Sequence, residues 1–380
     1  SSIRDGFGVA VSSTARGSIG AAIEDALSTS NCARARTTTR CIAVPNFAAS
    51  AYSVAADFVS HDADGFTINI VTAPIAAYIV HYVALGGADL TNANTGTVAL
   101  GNATGNLSIT GVGFQPDVVL FYGSRADGTE GPALHAGMVF GLAISSTEQR
   151  AFSAFATDGD ANAPAGRRAY DTRCYVFCNN TGADAGSGEL VSMDADGFTI
   201  NRLVATSRTM NFLALKGTFQ KRIVGFTQPT TTGNQSVTGV GFAPLVNLFF
   251  SGAVTSYGTS ATDYKQLFGQ ASSSTQRQYN TLVAVNNSEP TFVDSRMSRT
   301  KCIGFITGTS TTPTLDAEAD FVSQDADGFT VNWTTADSNA RLLFALALAS
   351  AAGGGAIALE GAALVVATAG GVLSTAIPLV

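Results

Sequence analysis

The chain has 380 residues, only 13% of them charged, and its formal net charge is −7 at pH 7. This length favours two or three domains. The acidic balance without a basic stripe disfavours a partner held through its phosphate backbone, so we expect no nucleic acid. No uninterrupted apolar run reaches the ~18 residues that a spanning helix needs, so we also expect no membrane span.

The first elements of the chain return in the same order at two later places. An apolar strand that begins Phe-Gly and leads into Ser-Ser-Thr starts at Phe7 and Phe140 and, more loosely, at Phe268. A Thr-basic-Cys motif then opens an apolar strand that carries Cys41, Cys174 and Cys302. The preserved order predicts a tandem array of one domain.

Three of the five cysteines lie inside these repeated strands, where a thiol behaves as a small buried hydrophobe. The other two, Cys32 and Cys178, have no counterparts in the other copies. An odd total with unmatched positions argues against a disulfide framework repeated in every copy. The spacings also lack the Cys-x-x-Cys pairs of a zinc site, so we expect no metal centre built from cysteine.

The clearest repeat is the phrase Asp-Ala-Asp-Gly-Phe-Thr, which begins at Asp62, Asp194 and Asp325. The spacing between successive copies is 132 and 131 residues. Asp-Gly supplies the positive φ angles of a tight hairpin turn. After the first turn, Phe66 and Ile68 fall on one face of a strand, with the period of two that marks a half-buried strand. The phrase therefore predicts a β-hairpin in each copy.

The carboxylates of these turns are weak calcium candidates, and they are Asp62, Asp64, Asp194, Asp196, Asp325 and Asp327. Two acids on a four-residue turn supply too few oxygens for calcium by themselves. Hairpin geometry is the favoured interpretation and calcium the alternative, and we expect no other cofactor. The loop Asp158–Asn162 also alternates acids and amides, but Ala163 stands where a calcium loop needs glycine, so a solvated loop is favoured.

An opening motif, Thr-Gly-Val-Gly-Phe-x-Pro, begins at Thr110 and Thr238 and precedes the second and third Phe-Gly strands. A glycine-rich phosphate loop would be followed by a helix, whereas a strand follows here, so we interpret the motif as a turn. The first copy has no room for it before Phe7 and is expected to lack at least one strand. The predicted domains are a first module over residues 1–90, incomplete at its N-terminus, a second module over 91–217, a third over 218–350, and a Gly/Ala-rich apolar tail over 351–380.

The strand patterns predict an all-β fold of three tandem antiparallel sandwiches, jelly-roll or immunoglobulin-like, with about six to eight short strands each and an extended C-terminal β tail. Helical periodicity is weak, and its best stretch is Ser18–Leu27. The connections 88–108 and 218–236 carry few charges and are expected to run as extra strands. Such an array is expected to form a stiff spacer with a large lateral surface.

Catalytic chemistry has little support in the sequence. The only histidines are His61, His81 and His135, and neither a Gly-x-Ser-x-Gly nor a His-Glu-x-x-His motif occurs. The acids that recur do so in turns common to all three copies, which favours architecture over catalysis. We expect no enzyme and no catalytic residues.

The combination of Gly-Val-Gly-Phe-x-Pro, a variable middle, Asp-Ala-Asp-Gly-Phe-Thr and an apolar closing strand such as Leu213–Leu215 resembles repeats in structural proteins of tailed-bacteriophage virions. The segment Gly361–Leu379 is similar to them in character. The resemblance covers most of the chain and is one of pattern. It implies a structural protein of an extracellular virus particle, of the fibre, decoration or tail type, that associates with itself and with other virion proteins.

The alternative function is a multivalent carbohydrate-binding or adhesion protein directed at a host-surface glycan. Its ligands would bind in the variable loops Arg125–Ala136 and Gly252–Tyr264, where avidity multiplies weak single sites. A sugar platform requires exposed tryptophan or tyrosine, whereas the single tryptophan, Trp333, shares a strand face with Phe329. That placement favours packing.

The tail and the incomplete first module together suggest strand exchange. A sheet edge that lacks its neighbour is an aggregation hazard unless it is covered. We therefore expect an extended segment to pair with it, either the tail of a neighbouring copy or another particle protein. The tail's candidate assembly residues are Ala356, Leu359, Leu364, Val365, Val366, Leu373 and Ile377. The alternative is that a longer natural chain supplies the strand from residues before Ser1.

Overall fold

The computed structural model describes residues 2–74, 77–125, 128–309, 313–351 and 363–364. Within these ranges the chain folds into antiparallel β-sheets and forms no helix, hence none long and apolar enough to cross a membrane. The all-β prediction is confirmed. The stretch with the best helical periodicity is instead the strand Arg16–Ile23, whose residues are buried almost without interruption.

The strands are grouped below by the copy of the repeat to which they belong. Those of the first module are β1 Ile3–Ala10, β2 Arg16–Ile23, β3 Cys32–Thr37, β4 Ile42–Pro45, β5 Tyr52–Asp62, β6 Gly65–Thr72 and β7 Val83–Ala84. Those of the second are β8 Leu90–Ala99, β9 Gly105–Thr110, β10 Val118–Gly123, β11 Gly131–Leu134, β12 Ala136–Ala143, β13 Gln149–Ala156, β14 Ala165–Tyr170, β15 Tyr175–Cys178, β16 Asp184–Asp194, β17 Gly197–Val204 and β18 Thr209–Gly217. Those of the third are β19 Gln220–Thr227, β20 Gly233–Thr238, β21 Val246–Ser251, β22 Ala261–Thr262, β23 Tyr264–Ala271, β24 Arg277–Ala284, β25 Val293–Ser298, β26 Ile303–Thr307, β27 Thr314–Asp325, β28 Gly328–Thr335 and β29 Leu342–Ala349, after which the tail contributes β30 Ala363–Leu364.

Each module is a sandwich of an inner and an outer sheet. The inner sheets have the orders β11-β3-β2-β1-β30-β7, β22-β14-β13-β12-β10-β18-β8 and β19-β29-β21-β23-β24-β25. The outer sheets are β4-β5-β6, β15-β16-β17-β9 and β20-β28-β27-β26. The connections predicted to be extra strands are strands: β8 pairs with β18 and β19 with β29, while β9 and β20 join the outer sheets.

The inner sheets of all three modules face one shared core. At its centre lie the repeated phenylalanines, with ring centroids 4.8 Å apart for Phe7 and Phe140, 4.3 Å for Phe140 and Phe268, and 5.9 Å for Phe7 and Phe268. All three rings are buried. The expected spacer with free lateral surfaces is therefore wrong, because the Phe-Gly strand is apolar on both faces and each module buries its inner sheet against the other two.

The glycine after each central phenylalanine lies on the opposite face of the same strand, where it allows close packing against the outer sheet. A Cβ at Gly141 would overlap the carbonyl oxygen of Cys174, and the corresponding glycines in the other modules meet Cys41 and Cys302 in the same way. Only a residue without a side chain lets the inner and outer sheets approach this closely. The repeated phenylalanine thus serves the shared core, and the repeated glycine serves the module's own core.

Neighbouring modules also contact each other through short strands that one module adds to a sheet of the next. β11, from a loop of the second module, pairs with β3 of the first, and β22, from the corresponding loop of the third, pairs with β14 of the second. Between the third and first modules, the backbone N–H of Thr291 donates to Leu27 O, and that of Val293 donates to the carboxylate of Asp25. The modules therefore contact one another cyclically rather than end to end.

Candidate assembly site: the open edge of the first module

The first aspartate of each turn is saturated by hydroxyl groups of its own hairpin. The hydroxyls of Ser60 and Thr67 donate to the two oxygens of Asp62, each at 2.7 Å. The same pair of bonds is made to Asp194 by Ser192 and Thr199, and to Asp325 by Ser323 and Thr330. The bonds from Thr67 and Ser60 lower the pKa of Asp62. These carboxylates fix the hairpin, which is why the phrase includes a threonine.

The second aspartate of the turn binds the opening motif. Both oxygens of Asp196 accept backbone N–H bonds, from Gly111 at 2.9 Å and from Gly113 at 2.7 Å, and these bonds lower its pKa. In the third module Asp327 binds the amides of Gly239 and Gly241 in the same way. All four glycines have positive φ, between 80° and 90°, so the interpretation of the motif as a turn is confirmed.

Among the described residues, no Gly-Val-Gly motif binds the turn of the first module. No described residue donates a hydrogen bond to Asp64, and no described atom lies within 4 Å of a Cβ placed on Gly65. In the second module the corresponding Gly197 is crowded by Ile109 of β9. The turn of the first module therefore keeps an unused acceptor and open space where the other modules hold a strand.

That missing strand leaves one edge of β6 open. β17 pairs with β9 and β28 with β20, whereas β6 pairs only with β5 among the described residues. The octapeptide Asp62–Asn69 recurs in the other two copies with a single change, from isoleucine to valine in the third. Even so, Phe198 and Phe329 are fully buried while Phe66 is only half-buried. The same sequence is thus covered in two modules and partly exposed in the first.

Exposed apolar side chains concentrate in the same module. Ile70 and Val71 on β6 are 49% and 45% exposed, and Tyr82, whose ring packs at 5.1 Å on Phe66, is 52% exposed. β6 carries neither a charged residue nor a proline between Gly65 and Thr72. Natural edge strands usually carry such residues to prevent unwanted pairing. We call the free side of β6, with Asp64, Ile70 and Val71, the open edge.

The other predicted chemical groups lie apart from the open edge. The described residues hold no group of three or more His, Cys, Asp or Glu side chains placed to bind a metal. All five cysteines are buried and unpaired in disulfides, and burial raises the pKa of Cys41 to about 11. The calcium-like loop instead contacts the first module, since Asp158 accepts a hydrogen bond from the backbone N–H of Cys32 at 2.7 Å.

The residues named for sugar binding also have structural partners. Trp333 is fully buried, as its strand position indicated, and its Nε1 donates to Gln235 at 2.9 Å. The loops Arg125–Ala136 and Gly252–Tyr264 contain β11 and β22, which pair with neighbouring modules. Of the tail residues, Leu364 lies in β30 and pairs with Val83. The others, Ala356, Leu359, Val365, Val366, Leu373 and Ile377, lie outside the described residues.

The sequence did not identify the residues of the open edge. The sequence pattern groups Asp64 with five aspartates that have other partners. The available signal was the Gly-Val-Gly motif of the second and third copies, since that motif is the ligand of the turn's second aspartate. Comparison of the chain with protein-family models, with curated proteins and with solved structures finds no match.

Proposed function

We propose that the protein is a non-enzymatic structural component of a virus particle, of the fibre, decoration or tail type, and that copies associate through the open edge. The observation that carries this proposal is the exposure of β6, an uncharged eight-residue strand that pairs only with β5 among the described residues. An edge of this kind adds a strand from another chain through main-chain hydrogen bonds. The repeated turns and rigid shared core supply architecture for such a role.

The occupant that fits the open edge best is β6 of a second copy. Two identical antiparallel edges can pair about a twofold axis, so that each copy contributes the same surface. A register centred on Ile70 would place Ile70 of one copy opposite Ile70 of the other, and the absence of charge on β6 removes like-charge repulsion. This arrangement also agrees with the expected homo-oligomer.

A single substitution tests the edge with little risk to the fold. Arg202 occupies in the second module the position of Ile70, so Ile70→Arg introduces a residue that this hairpin already accommodates. We expect sedimentation velocity to show an oligomer for the wild type and a monomer for Ile70→Arg. The matched control is Val191→Arg, an exposed valine on β16 away from the open edge, which should leave association unchanged.

Two results would refute self-association through β6: a wild type that sediments as a monomer throughout, or an Ile70→Arg variant that associates as strongly as the wild type. The particle assignment needs a separate measurement. Gold-labelled antibody against the protein should decorate capsids, tails or filaments in electron micrographs of the native assembly. Label found only on material outside particles would refute the virion assignment while leaving the edge intact.

A further inference from the structure

The strand that covers the hairpin in the second and third modules is repeated almost as closely as the hairpin itself. Residues 105–113 read Gly-Asn-Leu-Ser-Ile-Thr-Gly-Val-Gly, and residues 233–241 read Gly-Asn-Gln-Ser-Val-Thr-Gly-Val-Gly. The two segments, which comprise β9 and β20 with the turns that follow them, differ only at their third and fifth positions. The hairpin and its covering strand therefore recur together as one recognition unit.

Both covering strands pair with their hairpins in one register. The threonine before the first turn glycine lies opposite the hairpin glycine, as Thr110 does with Gly197 and Thr238 with Gly328. The serine two residues earlier lies opposite the hairpin threonine, and their hydroxyl oxygens are 2.9 Å apart in the second module and 3.0 Å apart in the third. In the first module Thr67 holds this hairpin position, and its side chain is exposed. The first hairpin thus offers the same hydroxyl to a covering strand.

The Gly-Val-Gly end of the covering strand is held in three ways. Asp196 accepts the N–H groups of both glycines, Gly111 at 2.9 Å and Gly113 at 2.7 Å. Both glycines have positive φ, a conformation that residues with a side chain rarely adopt. Val112 between them is 3% exposed and packs over Gly197, where a Cβ would lie 3.2 Å from one of its methyl carbons. The ligand of the turn is therefore a glycine, an apolar residue and a second glycine.

The first module presents the same receptor without a covering strand among the described residues. β5 and β6 pair in the register of β16 and β17, including the bulge, and Asp62 keeps both of its hydroxyl bonds. Asp64 receives no hydrogen bond from the described residues, and no described atom lies within 4 Å of a Cβ placed on Gly65. A strand can dock here without rearranging the hairpin, and such preorganisation lowers the cost of binding.

Two copies of β6 use only part of this receptor. β6 contains a single glycine, at its first position, and so has no Gly-x-Gly to present to Asp64. Pairing of two β6 strands therefore forms main-chain hydrogen bonds and leaves the carboxylate of Asp64 to solvent. A strand that ends in Gly-apolar-Gly engages both the edge and the carboxylate.

We propose that the open edge is a binding site for a strand of another protein that ends in Gly-apolar-Gly. Asp64 accepts the N–H groups of the two glycines, and the apolar side chain between them packs over Gly65. Because this strand makes contacts that β6 does not, it displaces a second copy from the open edge. The displacement rests on the self-association proposed above, whereas the binding of the strand stands without it.

A peptide with the sequence of residues 105–113 tests the site in the full chain. Ile70→Arg supplies a monomeric background, and arginine suits a covered hairpin because Arg202 lies opposite Gly105 in the second module. We expect this variant to bind the fluorescently labelled peptide in anisotropy titrations. A peptide with N-methylglycine in place of Gly111 and Gly113 lacks the two N–H donors and should bind at least about tenfold more weakly, because hydrogen bonds to a charged group are strong.

Asp64→Ala in the same background shows whether this carboxylate is the acceptor. The variant with both substitutions should bind the two peptides equally, and about as weakly as Ile70→Arg alone binds the methylated one. It leaves Asp196 intact, so exchange of the peptide with β9 of the second module would not respond to this substitution. No binding to Ile70→Arg, equal affinity of Ile70→Arg for the two peptides, or an affinity that Asp64→Ala does not change would overturn the proposal.

Sedimentation velocity separates this proposal from the self-association. A wild type that stays monomeric, together with peptide binding that depends on Asp64, would refute pairing of two β6 strands and support the binding site. A wild type that associates, together with an Ile70→Arg variant that does not bind the peptide, would do the reverse. Where both hold, saturating peptide should convert the associated wild type to monomer, and persistence of the oligomer would refute the displacement.

Discussion

The central phenylalanines provide the sharpest test of the shared core. Phe140 is 1% exposed, and its ring lies 4.8 Å from Phe7, 4.3 Å from Phe268 and 5.5 Å from Phe152. Truncation of a buried phenylalanine costs about 3–5 kcal/mol, and the cost rises where the site cannot collapse. Because Phe140 contacts rings from both other modules, we expect Phe140→Ala to fall near the upper end of this range.

The matched control is Phe121→Ala. Phe121 is fully buried as well, but its ring packs at 5.4 Å on Phe198 inside the second module's own sandwich. Both variants should lower the free energy of unfolding in denaturant titrations. They should differ in which strands are destabilised, because only Phe140 contacts the other two modules.

Hydrogen exchange read by mass spectrometry separates the two cases. Phe140→Ala should accelerate exchange in β12 and also in β1 and β23, which carry Phe7 and Phe268. Phe121→Ala should concentrate its effect in the second module, where β10 and β17 pack together. Unchanged exchange in β1 and β23 of the Phe140 variant would refute the reasoning, since the three modules would then be energetically independent despite their contact.

Three further predictions concern polar groups. Asp196→Ala should lower Tm because the amides of the opening turn lose their acceptor, whereas Asp64→Ala, which removes no hydrogen bond among the described residues, should leave Tm unchanged; equal effects in calorimetry would contradict this. Arg341 is 4% exposed and ion-pairs with two carboxylates, so Arg341→Met should cost about 3–5 kcal/mol in denaturant titrations, and a loss within error would contradict it. Burial and the nearby Arg299 lower the pKa of His81 to about 4. The free energy of unfolding should therefore be highest above pH ~6.5 and should fall by about 3 kcal/mol in all as the pH is lowered towards 4. His81→Gln should flatten this part of the stability profile, and an unchanged profile would refute the assignment.

Local chemistry made part of this fold predictable. The hairpins, the alternation of Phe66 and Ile68 and the buried Cys41 depend on neighbours within one hairpin or one strand, and each was found as expected. The details of the turn differ from the prediction, because Asp62 pairs with Gly65, the turn residues are Ala63 and Asp64, and only the glycine has a positive φ. The shared core depends on contacts between modules, which no local period reports. A signal was present nevertheless: the run Met138–Ala143 is apolar at odd and even positions, which indicates burial on both faces of the strand.

The open edge shows a second limit of reading the sequence locally. The first and second copies of the octapeptide are identical, yet Phe66 is half-buried and Phe198 is fully buried. The difference arises from β9, which begins 92 residues before Gly197 and has no counterpart before Gly65 among the described strands. Exposure of a repeated motif is therefore decided by what precedes the module and not by the motif itself.

The two gaps of the first module have different physical consequences. The inner position faces the core that all three modules share, so leaving it unfilled would expose apolar side chains of every module, and β30 occupies it within the same chain. The outer position faces solvent, and leaving it open exposes only β6 and its turn. Among the described residues, the position facing the shared core is therefore filled and β6 is paired on one side only. A synthetic peptide with the sequence of residues 105–113, added in excess, should occupy the outer gap and abolish association, and a protein that still associates at saturating peptide would place the contact elsewhere.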